Sequence, residues 1–461
     1  MQENLTNHQR VEDYSAVSLE NLNDDCLECI FERINDLPAQ IQVARACKRF
    51  RYIMLRLWRR NPDNRILVLD HWTNILPHSE DLEYFLQAMR KEFHTVRLID
   101  ECLSVFLKEM EEMGIKEIPG VERCELQDEI MECHPKDEDI ELLTKLLPSL
   151  KYLSLNTPIT GCFISKFEYL EELHLYAEYS KVFEMKPEFL NELLLNLRYL
   201  RVLDIRTFEV SKLTLTPDIA KCTGLQELKL NLNTLKTALD YVLMMPQLRH
   251  LKVLLDQDVD FNSILNVDSF DYKIYETKEF IHILEEKGSS IIGLAVDLYF
   301  MPLSLDWDLN MKYLNCSKLK LLALCNCDYE SNFFDRYTHM SQLEILCLRH
   351  ASSLENNTVM KFLKACPQLQ HLDISYCMQV NKSLLTAITE YLSQQDRAHK
   401  LCIYYRMSGL ETEVERNFTY WSSQKYVRLC FDFPPNSDIG LSYVYRGFVF
   451  NFEPSTIENS Y

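Results

Sequence analysis

Residues 366–377 read CPQLQHLDISYC, and the reading turns on three apolar residues inside that stretch: Leu369, Leu372 and Ile374. Leu372 and Ile374 are two apart, so in an extended chain they leave the same face. Leu369 enters the same core from the turn before it. Apolar residues at positions 1, 4 and 6 recur in LKYLSL (150–155), LEELHL (170–175), LRVLDI (200–205), LQELKL (225–230), LRHLKV (248–253), LKLLAL (319–324) and LEILCL (343–348). Weaker copies lie at Phe93–Val96–Leu98, Val121–Cys124–Leu126 and Ile291–Leu294–Val296.

A period of roughly 20–30 residues is that of leucine-rich repeats. One such strand cannot bury its apolar face alone, so copies stack side by side. Between strands, Thr358 to Ala365 and Ser383 to Leu392 carry apolar residues at helical spacing. The fold class expected is therefore α/β: a curved solenoid over 61–410, with parallel strands on its concave face and helices behind. Cys366 and Cys377, like Cys316 and Cys327, suit a cysteine-containing subtype, and CTGLQELKLNL keeps only Cys222. The gap from 248 to 291 implies an insertion or degenerate repeat near 255–290. Beyond about 410 the pattern stops, and Val427, Leu429, Phe431 and Phe433, then Phe448, Phe450 and Phe452, alternate. Residues 411–461 are expected to cap the exposed end of the stack.

At the other end, 1–17 reads as a disordered tail, and residues 18–60 read as three short helices. The first starts near Asp24, capped by Asn23, with Leu27, Ile30, Phe31 and Ile34 on one face. Pro38 suits the first turn of the second, and the third, from Cys47, carries Phe50, Met54 and Leu57 on one stripe. This stretch resembles an F-box. Leu19 and Leu22 match its leucine pair, Asp25 its acidic position, Ile30 and Phe31 its amphipathic helix, and Ala46-Cys47-Lys48-Arg49-Phe50 its late signature. Asn23 stands where the family usually has proline. Helices followed by leucine-rich repeats resemble the substrate receptors of Skp–cullin–F-box ubiquitin ligases. The resemblance implies a non-catalytic receptor that docks a Skp-type adaptor, and through it a cullin, with Leu19, Leu22, Asp25, Leu27, Ile30, Phe31, Cys47 and Phe50. A target protein would then lie on the repeats. The alternative is a leucine-rich scaffold without ligase function.

Composition narrows the rest. A formal charge of −20 argues against nucleic acid and anionic membranes as partners. Only 9 of the 461 residues are glycine, and no phosphate-cradling glycine pattern occurs, so no nucleotide cofactor is expected. The 12 histidines form no H-E-x-x-H and no zinc quartet with cysteine, so no metal is expected either. Cys26-x-x-Cys29 falls on the first helix with no second pair near it, which suits two helix thiols better than a redox or metal pair. The opening MQENLTNHQRVEDYS holds no apolar core, no run of ~18 apolar residues appears, and the 16 cysteines are expected reduced in cytoplasm or nucleus. Seven basic residues and no acidic ones lie between Arg45 and Arg60, read as a solvated helix side.

The strand pleat proposes a target surface. Positions 5 and 7 point away from the core. Position 5 gives Ser154, His174, Asp204, Lys229 and Lys252; position 7 gives Asn156, Tyr176, Arg206, Asn231 and Leu254. Arg206, Lys229 and Lys252, beside His174 and Tyr176, form an expected basic cluster suited to an acidic or phosphorylated segment.

Overall fold

The structure is a computed structural model that describes residues 19–99, 102–127, 136–156, 159–175, 185–206, 213–255, 278–297, 316–326, 340–395, 397, 399–432, 434 and 447–453. Three helices open the chain: α1 (Asp24–Phe31), α2 (Leu37–Ala46) and α3 (Lys48–Arg60). Each start is fixed by a side chain that satisfies an otherwise unpaired amide. Asn23 accepts from Cys26 N at 2.8 Å, Asp36 from Ala39 N at 3.0 Å, and the Cys47 sulfur from Phe50 N at 3.4 Å.

The strands that follow are β1 (Ile66–Leu67), β2 (Thr95–Ile99), β3 (Arg123–Gln127), β4 (Tyr152–Asn156), β5 (Glu172–Leu175), β6 (Val202–Asp204), β7 (Glu227–Asn231) and β8 (His250–Leu254). Then come β9 (Ile291–Asp297), β10 (Leu321–Cys325), β11 (Ile345–Cys347), β12 (His371–Asp373), β13 (Leu401–Tyr404), β14 (Val427–Cys430) and β15 (Gly447–Phe452). All join one sheet, in chain order except that β15 lies between β8 and β9. Every other neighbouring pair is parallel, whereas β15 runs antiparallel to both its neighbours. This is the architecture of a leucine-rich-repeat solenoid. The three weak sequence copies are full members of it, as β2, β3 and β9.

The register explains the leucines. Position 4 of each copy sits beside position 4 of the next: Val96, Cys124, Leu153, Leu173, Leu203, Leu228 and Leu251 align across β2–β8, and all are buried. Each full leucine burial contributes about 1.5–3 kcal/mol, so the row is a continuous source of stability. Helices close the core behind the sheet, with Leu143 of the Asp137–Leu146 helix and Phe362 of the Asn356–Ala365 helix in the same cluster. The N-terminal helices belong to it as well. Trp58 of α3 meets Phe85 of the Ser79–Met89 helix edge-on at 5.1 Å, and its indole donates to Gln40 Oε1 at 2.8 Å.

The expected cap over 411–461 needs correction at 447–452, while β14 does lie at the end of the sheet. Residues 427–430 extend the parallel ladder as β14, and residues 447–452 do not cover its end. They fill the place left between β8 and β9, where the 43-residue gap in the repeat pattern falls. Phe448, Phe450 and Phe452 enter the core there, and Phe280 from the Lys278–Lys287 helix packs on Phe448 and Phe450 at 4.6 and 5.4 Å. Phe433 and residues 256–277 lie outside the described residues, as does Cys327.

Candidate functional site

The sheet face turned away from the helices is the expected binding surface, and strand register gives its order. Position 5 runs Arg97, Glu125, Ser154, His174, Asp204, Lys229 and Lys252 across β2–β8. It continues through Val449 of β15 to Ala295, Ala323 and Cys347, then Asp373 and Tyr404. The face is thus polar over its first half and small and apolar at its middle, where Ala295, Leu321, Ala323, Cys347 and Val449 form a second buried cluster.

The polar half is a chain of paired charges. Glu125 accepts from Arg97 Nε at 2.7 Å and Arg123 Nε at 2.6 Å. Burial pushes its carboxyl up, but the two guanidinium groups outweigh that and hold it below its ordinary value. The Arg123 guanidinium also stands 3.5 Å from the centre of the Tyr152 ring, which lies 4.9 Å from the His174 ring. His174 Nδ1 is 3.6 Å from Asp204 Oδ2. Asp204 accepts both Arg206 Nε at 2.7 Å and Arg206 Nη2 at 2.6 Å, and Lys229 Nζ stands 4.0 Å away. Burial acts to raise the Asp204 carboxyl, yet these contacts keep it well below the usual carboxylate range. Lys229 is paired more closely with Glu227, at 2.7 Å.

The expected basic cluster is therefore corrected. His174, Arg206, Lys229 and Lys252 do gather on one strip, but Asp204 and Glu227 neutralise Arg206 and Lys229. Lys252 is buried beside Val449 of β15. Tyr176 lies outside the described residues. The sequence did carry a signal for the counter-charge: Asp204 and Arg206 are two apart, and alternation puts them on one face.

Farther along, the strand ends build a ridge. Asn326, His350, Tyr376 and Met407 each follow a position-5 residue by three and each adopts a left-handed backbone, with φ of 54°, 56°, 63° and 51°. The His350 and Tyr376 rings stack at 4.1 Å. Arg349 pairs with buried Asp373, whose Oδ1 also accepts Ser375 N at 3.0 Å. Among the described residues, no group of three or more His, Cys, Asp or Glu is placed to hold a metal ion. None of the described helices is long and apolar enough to cross a membrane.

The helical module sorts its eight singled-out residues into two sets. Leu27 and Phe31 are 0% and 3% exposed and belong to the interior, where Phe31 meets Phe50 edge-on at 5.1 Å. Leu22 and Phe50 pack partly against the core, and Cys47 caps α3. Leu19 and Ile30, at 50% and 40% exposed, face outward, and Asp25 is exposed with them. Leu27 and Phe31 thus have their surfaces covered by the module itself in this arrangement.

Fold and site together define a leucine-rich-repeat solenoid with a helical N-terminal module and a mixed-polarity sheet face. No protein-family model matches the chain, and no curated protein matches it. Among solved structures it is similar to a chain of the Drosophila Toll–Spatzle complex, with 14% identity and a TM-score of 0.36 over 68% of this chain and 40% of that one. It is similar also to a chain of the mouse RP105/MD-1 complex, with 15% identity and a TM-score of 0.36 over 74% of this chain and 65% of that one. The chain spans less than two thirds of the length of either.

Proposed function

We propose that this protein is the non-catalytic target receptor of a Skp–cullin–F-box ubiquitin ligase acting in cytoplasm or nucleus. The observation that carries the reading is the pattern at the N-terminal end: Leu19 and Leu22 just before the first helix, then Asp25, Ile30, Phe31 and Ala46-Cys47-Lys48-Arg49-Phe50 along three helices followed by a leucine-rich solenoid. Exposed Leu19 and Ile30 supply an apolar face that the module itself leaves uncovered. The sheet face supplies a second surface for a target protein. A receptor of this kind works by raising the target's effective concentration beside the ubiquitin-charged enzyme.

The test is retention of a Skp-type adaptor by the full chain. Ile30→Asp and Leu19→Asp should weaken adaptor binding by about a hundredfold, as expected for a charge placed in an apolar hot spot, with the thermal melt unchanged. Phe31→Asp is a poor probe, because its carboxylate would be buried and would lower the melt itself. Stoichiometric adaptor binding by both outward variants, or none by the native chain, leaves only the coarser reading, a protein-binding solenoid without ligase function.

A further inference from the structure

The strand β15 differs in kind from its neighbours. It runs against the direction of the repeats, it follows β14 in the chain yet sits six strands away from it, and it pairs with β8 and β9 and packs on Phe280. Its register is continuous on both sides from Gly447 to Asn451 and shifts on the β9 side between Asn451 and Phe452. Phe448, Val449, Phe450 and Asn451 face Val253, Lys252, Leu251 and His250 on β8, and Val296, Ala295, Leu294 and Gly293 on β9. Its end is tied as well, with Phe452 N donating to Arg249 O at 2.7 Å and Glu453 N to Ser290 O at 2.6 Å.

The slot is shaped for this segment. A Cβ on Gly293 would stand 2.7 Å from Asn451 Nδ2, and one on Gly447 would stand 2.0 Å from Val253 O. Glycine at both places is what lets the strand approach. Phe448, Phe450 and Phe452 enter the main core, while Val449 joins the second buried cluster on the other sheet face, where Asn451 Oδ1 lies 2.8 Å from His250 Nδ1. This is the geometry by which an extended peptide adds to a sheet: backbone pairing gives affinity, and alternate side-chain pockets give specificity.

The tether permits it. Six inter-strand steps separate β14 from β15 in the sheet, about 29 Å at ~4.8 Å each. The 17 residue steps from Cys430 to Gly447 span about 56–61 Å when extended, and a flexible chain of that length averages about 21–25 Å. The contour length therefore exceeds the distance to be spanned, and a tether of this length gives an effective concentration on the order of millimolar.

We infer that the opening between β8 and β9 is a strand-acceptor site and that residues 447–452 are its tethered, exchangeable ligand. The site takes an extended antiparallel segment with large apolar side chains at alternate positions, and its occupant is the C-terminal segment of this chain. Because Val449 and Asn451 join the position-5 and position-3 rows of the open face, occupancy of the slot also sets part of the surface presented to a target. The inference does not depend on the adaptor-binding reading.

Two measurements on the full-length protein test it. First, a protease site installed within 435–446 lets the folded chain be nicked after purification, and a fluorescent peptide of residues 445–455 is added in excess. Saturable incorporation of the peptide with release of the native segment is expected, and a peptide carrying Phe450→Asp should bind at least about a hundredfold more weakly. Permanent retention of the native segment, or unfolding of the solenoid on its release, overturns the inference. Second, amide hydrogen exchange on the intact chain should open residues 448–452 at least about tenfold faster than Leu372 in β12, through a sub-global opening. Equal protection of the two would show that β15 opens only with the whole molecule and is no ligand.

Discussion

Replacing Asp204 with asparagine tests whether the open face is held by paired charges or merely decorated with them. Asp204 is 2% exposed and accepts two charge-assisted hydrogen bonds from Arg206, with His174 and Lys229 close by. In Asp204→Asn one oxygen becomes an amide donor facing a guanidinium donor. One charged hydrogen bond, about 1.5–3 kcal/mol, disappears, and the largely covered Arg206 side chain loses the Asp204 charge, for a total of about 2–4 kcal/mol. The dependence on pH has a definite sign. The folded carboxyl titrates below its unfolded value of about 3.9, so its stabilisation is complete above about pH 5 and fades as pH falls from about 4 towards the folded value. Urea unfolding followed by circular dichroism at pH 7, 5 and 3.5 reads this directly. The gap between native protein and variant should be constant between pH 7 and 5 and narrower at 3.5. A gap below about 0.5 kcal/mol at pH 7, or one that does not change with pH, would mean that Asp204 behaves as a solvated acid, and the paired-charge account would fail.

Two further outcomes follow from the core. Leu372, fully buried between Leu346 and Ile403 in register, should lose about 2–5 kcal/mol on change to alanine; an unchanged melt would remove β12 from the core. Burial pushes the Cys366 and Cys377 thiols up to about 12, so at pH 8 about one in ten thousand is ionised, against about a quarter of an ordinary thiol of pKa 8.5. Native-state alkylation read by mass spectrometry should therefore label exposed Cys26 and Cys29 long before Cys377, and equal rates would show an open repeat.

What the sequence revealed and what it hid divide along physical lines. Leu372 and its equivalents were legible because a strand's inner face is written in local spacing, and even Cys124 and Leu294, on weak copies, fell into register. The segment 448–452 was legible as a strand but not as a neighbour of β8, because alternation states which face is buried and says nothing of a partner some 200 residues away. The first helix failed differently. Leu27, Ile30 and Phe31 share a broad apolar stripe, and only the position of α3, with Phe50 against Phe31, decides that Ile30 is the one left outside. The basic strip was read from Arg206, Lys229 and Lys252 alone. Asp204 was placed in the same row, but its charge and that of Glu227, set against Arg206 and Lys229, were the unread half.

That unread half changes what a target must bring. A phosphate arriving at Arg206 meets a guanidinium already held by two bonds to a buried carboxylate. A phosphate that uses the remaining guanidinium donors meets a charge Asp204 already balances, and one that takes the Nε and Nη2 donors leaves that carboxylate buried and short of its partner, a penalty of about 1–3 kcal/mol or more. One or two new charge-assisted bonds at about 1.5–3 kcal/mol each would be largely offset by it. Charge alone therefore discriminates poorly on this strip, and neutral hydrogen-bonding or aromatic groups, set against the Tyr152–His174 and His350–Tyr376 rings, are the better-matched contacts. Under the receptor reading, the target segment is selected by shape and neutral polar contacts, and phosphorylation of it adds little. Asp204→Asn separates the two cases a second time. By removing the negative charge beside Arg206 it should strengthen binding of an acidic segment by about tenfold or more, on the order of 1.4 kcal/mol, and leave a neutral one unchanged. Isothermal titration with paired phosphorylated and unphosphorylated peptides measures that difference, and a native protein that already prefers the phosphorylated member by a hundredfold would refute this account of the strip.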